Sequence, residues 1–458
     1  MNSWIRAFAG AWCLLLFGTA SMADAQTVAG DWQGTLNAGA VSLRIALHIT
    51  ADPDGTFKGT LDSLDQGARG IPLGAVTITD RQVTFTVPAV SGSYTGKLSE
   101  DGNTIDGNWS QGASLPLVLT RGAPAAPPRR PQTPAKPYPY REEEVTFTNP
   151  AAGISLAATL TIPNGAGPFP AVLLITGSGA QDRNESLLGH QPFLVLADYL
   201  TRHGIEVLRA DDRGVGKSGG NFAAATSDDF ATDVEAGVTF LQSRREVDQR
   251  RLGLIGHSEG GLIAPMVAVR NKAVRFIVLM AGPGVPGNEI IIEQVRLITA
   301  ASGAPPAIAD QNASQQRAIL DVVKQGRDLP TLERELHDKL AGLGMPPAQI
   351  DAQVKGLTSP WYRFFIAYDP APALAKVTCP VLAISGEKDL QVPPAQNLPA
   401  LRRALASNPA AQVEEIPGVN HLFQTATTGS PTEYANIEET IAPAVLEKIS
   451  NWILAVKP

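Results

Sequence analysis

Leu252–Val269, LGLIGHSEGGLIAPMVAV, changes character at a single serine. The run LGLIG before it reads as a short buried strand, and GLIAPMVAV after it reads as a helix. Gly256-His257-Ser258-Glu259-Gly260 is thus a G-x-S-x-G sequence set between strand and helix. A serine on such a sharp turn projects its oxygen and exposes the next backbone N–H, while the flanking glycines let neighbouring backbone approach. The bland meaning of the same residues is a glycine-rich turn.

Outward from this stretch the pattern is one of apolar, β-branched runs separated by helical segments, as a mostly parallel sheet covered on both faces requires. Glu144–Thr148 and Ile154–Ile162 read as an opening hairpin. Further strands are expected at Ala171–Thr176, Glu206–Ala210, Leu252–Gly256, Phe276–Met280, Val381–Ser385 and Gln412–Ile416. Helices are expected at Pro192–His203, Asp229–Gln242 and Gly260–Val269. About a hundred residues separate the strands at Phe276 and Val381, far more than one crossover helix needs. The excess, roughly Pro286–Asp369, is rich in Ala, Gln, Leu, Glu and Arg at helical spacing and reads as an inserted helical cap.

The N-terminal part is different. Arg6, the apolar Ala11–Phe17 and the small-x-small Ala23-Asp24-Ala25 form a signal-peptide pattern over 1–25, with the mature chain expected to start near Gln26. The apolar run is too short to span a bilayer, and nothing else reads as transmembrane. A secreted or periplasmic protein is expected. Cys13 leaves with the signal and Cys379 then stands alone, so no internal disulfide can form. Residues 26–121 alternate with period two, as in Val41, Leu43, Ile45, Leu47 and Ile49 and again in Val83, Phe85 and Val87. Asp54-Gly55, Asp101-Gly102 and Asp106-Gly107 are hairpin-type turn signals, so a small all-β domain, barrel or sandwich, is expected. Trp32 and Trp109 there are candidates either for a ligand platform or for packing. Residues 122–140 carry seven prolines and read as an extended linker, with the α/β domain running from 141 to 458.

With 458 residues, 44% of them hydrophobic and 18% charged, the chain can bury a large core and a second domain. A net charge of −7 supplies no basic footprint, which disfavours nucleic-acid binding. No His/Cys/Asp/Glu cluster has metal-ligand spacing and no dinucleotide fingerprint appears, so catalysis without a cofactor is expected. Gly214-Val215-Gly216-Lys217-Ser218 mimics a phosphate loop, yet Asp211 stands where the motif needs its first glycine.

A nucleophilic serine needs a base whose tautomer is fixed by an acid. Asp389, in SGEKD beyond the strand at Val381, and His421, in PGVNHLF beyond the strand at Gln412, both fall at carboxyl ends of strands, where open-sheet sites are built. With the order Ser258, Asp389, His421, the chain from about 141 resembles the α/β-hydrolase superfamily. Among its members it resembles secreted bacterial serine esterases carrying an N-terminal β domain, through Gly30-Asp31-Trp32-Gln33-Gly34, SLDQGARGI before Pro72, and Gly107-Asn108-Trp109. The resemblance implies an eight-stranded α/β-hydrolase sheet, Ser258 as nucleophile, His421 as base and Asp389 as orienting acid. Glu387 is a rival acid, and His48, His190, His203, His257 and His337 are the other histidines. The superfamily's oxyanion hole would be formed by the N–H groups of Glu259 and Ser178, the latter in Thr176-Gly177-Ser178-Gly179, with Gly179 as a rival. The loop Asp212–Ser218 resembles the superfamily's D-x-R-G-x-G-x-S segment and is expected to brace the site. Gln181-Asp182-Arg183-Asn184-Glu185 beside the oxyanion loop reads either as pocket lining or as a structural segment in which Asp182 pairs with Arg183 or another charge. A carboxylic ester hydrolase acting on a small substrate is the expected function. A serine peptidase on short peptides is the second enzymatic reading, and a surface binding protein acting through its β domain is the third.

Overall fold

The computed structural model describes residues 28–457 except 39, 40, 65–67, 112, 124–127 and 346. The expected signal segment, 1–25, lies outside the described residues. The chain divides into two compact units, one carrying Leu43–Leu64 and Ala68–Ala125, the other Ala126–Pro458.

The first unit is built from β1 (Gly30–Ala38), β2 (Val41–Ala51), β3 (Phe57–Ser63), β4 (Ala68–Pro72), β5 (Val76–Thr79), β6 (Gln82–Val87), β7 (Gly92–Leu98), β8 (Thr104–Gln111) and β9 (Ala113–Arg121). These form one sheet in the order β4-β3-β2-β1-β9-β8-β7-β6-β5, with antiparallel pairing along its registered strands. Alternation sets the inner face: Val83, Phe85 and Val87 are buried and pack with Leu47, Ile49, Tyr94, Ile105, Leu117 and Leu119. Trp32 belongs to this interior, with its Nε1 donating to the Val28 carbonyl at 2.9 Å and the Arg121 guanidinium 4.4 Å above its ring. Trp109 is buried as well. Both tryptophans pack the core and present no surface platform.

The second unit contains β10 (Arg141–Asn149), β11 (Ile154–Ile162), β12 (Phe169–Ile175), β13 (Glu206–Ala210), β14 (Val247–His257), β15 (Phe276–Met280), β16 (Val381–Gly386) and β17 (Ala411–Ile416). Their order is β10-β11-β13-β12-β14-β15-β16-β17. The sheet is mixed: β10–β11 and β11–β13 run antiparallel, while the pairings from β13–β12 through β16–β17 are parallel. The antiparallel part follows from the hairpin at Gly153, whose two-strand ribbon returns against β13.

Alternate side chains of the parallel strands feed two cores. Val172, Leu174, Ile255 and Val278 meet Phe193, Leu196 and Leu200 of the helix Pro192–Arg202 and Val445, Leu446 and Ile449 of the helix Pro443–Ala455. Leu173, Leu254, Ile277 and Leu279 meet Ala231, Val234 and Val238 of the helix Ser227–Gln242 and Leu262 and Ile263 of the helix Glu259–Arg270. Each such fully buried aliphatic side chain contributes about 1.5–3 kcal/mol through lost water contact. Truncating one, as in Leu254→Ala, removes about 2–5 kcal/mol including the cavity left behind. Thr226 and Asp229 form a reciprocal capping box that starts the helix Ser227–Gln242.

Between β15 and β16 lie the helices Gly287–Ala301, Pro306–Lys324, Leu329–Gly342, Pro347–Leu357 and Pro360–Ala367, within the stretch expected to hold an insertion. From residue 128 the proline-rich segment is bonded along the second unit. The Arg130 guanidinium donates to the carbonyls of Leu188 (2.9 Å), Ala435 (2.7 Å) and Ile437 (2.9 Å). The Gln132 amide accepts from Thr440 N (2.6 Å) and donates to the Ile441 carbonyl (2.6 Å). The residues 434–441 gripped in this way follow the loop that carries His421. Among the described residues no helix is long and apolar enough to cross a membrane.

Candidate active site

β14 lies between β12 and β15 near the middle of the sheet and ends at His257. Ser258 then takes φ 54° and ψ −116°, a strained conformation for a residue with a Cβ, before the helix opens at Glu259. Two bonds hold the turn: Ser258 N donates to the Met280 carbonyl at 2.8 Å, and Gly261 N to the Ser258 carbonyl at 2.9 Å. Its tightness explains the glycines. A Cβ on Gly256 would stand 2.0 Å from the Gly260 carbonyl oxygen, and one on Gly260 would stand 2.2 Å from that of Ile175.

Asp389 and His421 follow the carboxyl ends of the neighbouring parallel strands β16 and β17. Asp389 Oδ2 is 2.8 Å from His421 Nδ1, and Oδ1 accepts from the amides of Gln391 and Val392, each at 2.8 Å. Both side chains are buried. A carboxylate at Nδ1 makes that nitrogen the N–H donor and leaves Nε2 as the atom able to take a proton. Asn420 shapes the loop, its Oδ1 accepting from Leu422 N and Gln424 N at 3.0 Å each. Glu387, the rival acid, is exposed and accepts from Gly418 N at 2.7 Å. His190 is buried against Thr440 and Tyr434, and its pKa is pushed down to about 4, chiefly by burial. His48 lies in the first unit, bonded to Asp31, and His337 is exposed on an inserted helix.

Ser258 and His421 line one cavity of about 390 Å³. Gly177 and Ser178, from the stretch expected to supply an oxyanion donor, form part of its wall. The helices between β15 and β16 supply Ile290, Ile291, Gln294, Trp361, Tyr362 and Phe365, so their share of the wall is mostly apolar or aromatic. Glu259 opens a helix, so its N–H is one of the donors a helix start leaves without an internal partner.

The loop after β12 is braced by the segment after β13. Asp212 accepts from the Thr176 hydroxyl at 2.8 Å and from Gln181 N at 2.9 Å. Burial pushes its carboxyl up to about 7, with the charges of Glu259 and Glu185 adding to the rise. Arg183 is held by Asp211 through Nε at 2.9 Å and a terminal nitrogen at 2.7 Å. Of the two readings of 181–185, Gln181 and Glu185 line the cavity, while Asp182 does not pair with Arg183 and caps its own turn, accepting from Asn184 N, Ser186 N and the Ser186 hydroxyl.

Two carboxylates carry more of the site than their sequence positions announce. Glu259's side chain is buried and accepts from Ser227 Oγ at 2.6 Å and Trp361 Nε1 at 2.8 Å, with a further hydrogen bond to Ser178. Burial raises its pKa, and the three hydrogen bonds oppose the rise. Glu185 Oε1 accepts from Gly177 N at 2.7 Å and lies 2.9 Å from His257 Nδ1. Gln391 reaches from the Asp389 loop to the Tyr434 hydroxyl at 3.2 Å. The sequence signal available for Glu185 and Glu259 was only their nearness to the oxyanion loop and the nucleophile.

Residues 172–437 match the Alpha/beta hydrolase family. The esterase EstD of Thermotoga maritima is 26% identical over 319 residues, spanning 69% of this chain and 68% of EstD. Among solved structures, a hypothetical protein of Pseudomonas aeruginosa superposes with a TM-score of 0.44 at 18% identity over 70% of this chain and 95% of its own. An esterase of Pyrococcus furiosus superposes with a TM-score of 0.42 at 15% identity over 72% of this chain and 98% of its own. With more than half of its length matched by the family, this chain belongs to the alpha/beta hydrolases.

Proposed function

We propose that the protein is an exported serine esterase in which Ser258, His421 and Asp389 act as nucleophile, base and orienting acid. The observation that carries the reading is the buried Asp389–His421 pair opening onto the same cavity as a strained Ser258. Ser258 Oγ attacks the ester carbonyl carbon while His421 Nε2 takes its proton, and the N–H groups of Glu259 and Ser178 receive the oxyanion. His421 then hands the proton to the departing alcohol. Water deprotonated at the same nitrogen attacks the acyl-enzyme, and collapse releases the carboxylate and restores Ser258. The inserted helices act as a cap whose Ile290, Ile291, Trp361 and Phe365 hold the substrate's apolar part.

The uncharged wall supplied by the inserted helices favours an ester over a peptide amine. A peptidase that holds a substrate ammonium needs a carboxylate facing it; Glu259 is bound to Ser227, Trp361 and Ser178, and Glu185 gives its Oε1 to His257 and Gly177, so only Glu185 Oε2 could take that role. The burial of Trp32 and Trp109 weakens the reading of the first unit as an aromatic binding platform. The test is turnover of a p-nitrophenyl ester series beside aminoacyl anilides, using wild type and Ser258→Ala. Ester turnover that falls about 10⁴-fold or more in the variant, without anilide cleavage, supports the reading; anilide turnover moves it to a peptidase. Export is tested by sequencing the N-terminus of protein secreted from a host, with a start near Gln26 expected.

A further inference from the structure

We propose that His257, beside the nucleophile, is a positioning residue held as a buried imidazolium that registers Ser258, the oxyanion loop and His421 together. The inference rests on the reading of Ser258 and His421 given above. Both ring nitrogens face acceptors: Nδ1 lies 2.9 Å from Glu185 Oε1, and Nε2 lies 3.0 Å from the backbone carbonyl oxygen of His421. A carbonyl oxygen only accepts, so Nε2 must carry a proton. Glu185 Oε1 already takes the Gly177 N–H at 2.7 Å, as expected of a carboxylate oxygen, so Nδ1 carries one too. A ring with two N–H groups is cationic, and Glu185 balances it inside the protein.

The groups facing the ring agree. Glu185 comes from the loop after β12, His421 from the loop after β17 with Asp389 behind it, and the Phe423 ring closes the last side edge-on at 6.4 Å. Burial alone would lower the basicity of His257, but the charge and hydrogen bond of Glu185, the His421 carbonyl and the charge of Asp389 outweigh it and raise it. One carboxylate oxygen therefore ties the oxyanion loop to the residue before Ser258, and the ring ties that residue to the main chain of the base. The two imidazole centroids are 4.9 Å apart.

The test begins with ¹⁵N-histidine NMR of the full chain, assigning His257 by its loss in His257→Gln. Doubly protonated nitrogens at pH 7 are expected, and a neutral ring overturns the proposal whether or not the protein proves to be an esterase. Glu185→Gln then removes the balancing charge: the ring turns neutral, and its Nδ1 lone pair faces the oxygen that Gly177 N holds, so the tie between the two loops is lost. It should abolish the doubly protonated His257 signals and lower kcat about 10-fold with KM within about twofold. Unchanged His257 signals, or activity lost only in proportion to folded protein, reduces the pair to a structural contact and contradicts the proposal.

Discussion

Two histidine–carboxylate pairs sit side by side in this site, with nearly equal bond lengths and opposite capabilities. His421 meets Asp389 at 2.8 Å and His257 meets Glu185 at 2.9 Å, and all four side chains are buried. The difference lies at the second ring nitrogen. In His257 it faces a backbone carbonyl, which fixes the ring and its proton; in His421 it is left to the cavity it shares with Ser258. A base must have somewhere to put a proton, whereas a strut must not. The comparison also separates the acids: Asp389 is tethered by two adjacent backbone amides, while Glu185 reaches across to the oxyanion loop.

If that division is right, substitutions should fall into ranks. His421→Ala should reduce ester turnover about 10⁴-fold or more, as should removal of Ser258. Asp389→Asn, which leaves an amide where Nδ1–H needs an acceptor, should cost about 10³–10⁴-fold in kcat with little change in thermal stability. His257→Gln should cost less, about 10²-fold, because the proton-transfer groups remain and only their alignment suffers. Loss from His257→Gln equal to that from His421→Ala would erase the distinction. Trp361→Phe keeps the ring stacked on Phe365 but deprives the buried Glu259 of a donor, so a loss of about 1–3 kcal/mol of stability and a several-fold fall in kcat/KM are expected. At the bottom of the scale, Glu387→Gln should change turnover by less than about twofold, since Glu387 is exposed and apart from the Asp389–His421 pair.

A pH effect far from the cavity provides a contrast. Glu206 on β13 is buried with neither carboxyl oxygen hydrogen-bonded, and burial, reinforced by the charge of Glu246, pushes its pKa up to about 8. A carboxyl raised above its ordinary 4.5 is neutral in the folded chain while ionised in the unfolded one, so its contribution to stability is lost as pH climbs from about 4.5 to about 8. Glu206→Gln should therefore have a higher Tm than wild type at pH 8.5 and the same Tm near pH 4, measured by calorimetry.

What could be read in the sequence was whatever is local or fixed by chain order. The elbow declares itself because strand, serine and helix are contiguous, and Asp389 and His421 because each follows an apolar run directly. β13 and β15 were legible to the residue for the same reason. Contacts across the fold were not. Glu185 and His257 are separated by 72 positions and Glu259 and Trp361 by 102, and no periodicity encodes which loops the sheet order will bring together. Arg183 ignores its neighbour Asp182 because the turn consumes that carboxylate, leaving Asp211 as the partner. The prolines of 122–140 predict an extended linker, yet Thr133 N turns back to the Arg130 carbonyl at 3.0 Å, and the grip of Arg130 and Gln132 on 434–441 depends on carbonyls some three hundred residues away.

The account turns on Ser258 being activated by His421. The most direct measurement is labelling with a fluorophosphonate probe followed by peptide mass spectrometry, on wild type, Ser258→Ala and His421→Ala. One adduct per chain on the peptide containing Ser258, absent from Ser258→Ala and slowed by orders of magnitude in His421→Ala, is the predicted result. An adduct on another residue, or labelling of Ser258 at an unchanged rate without His421, would contradict it.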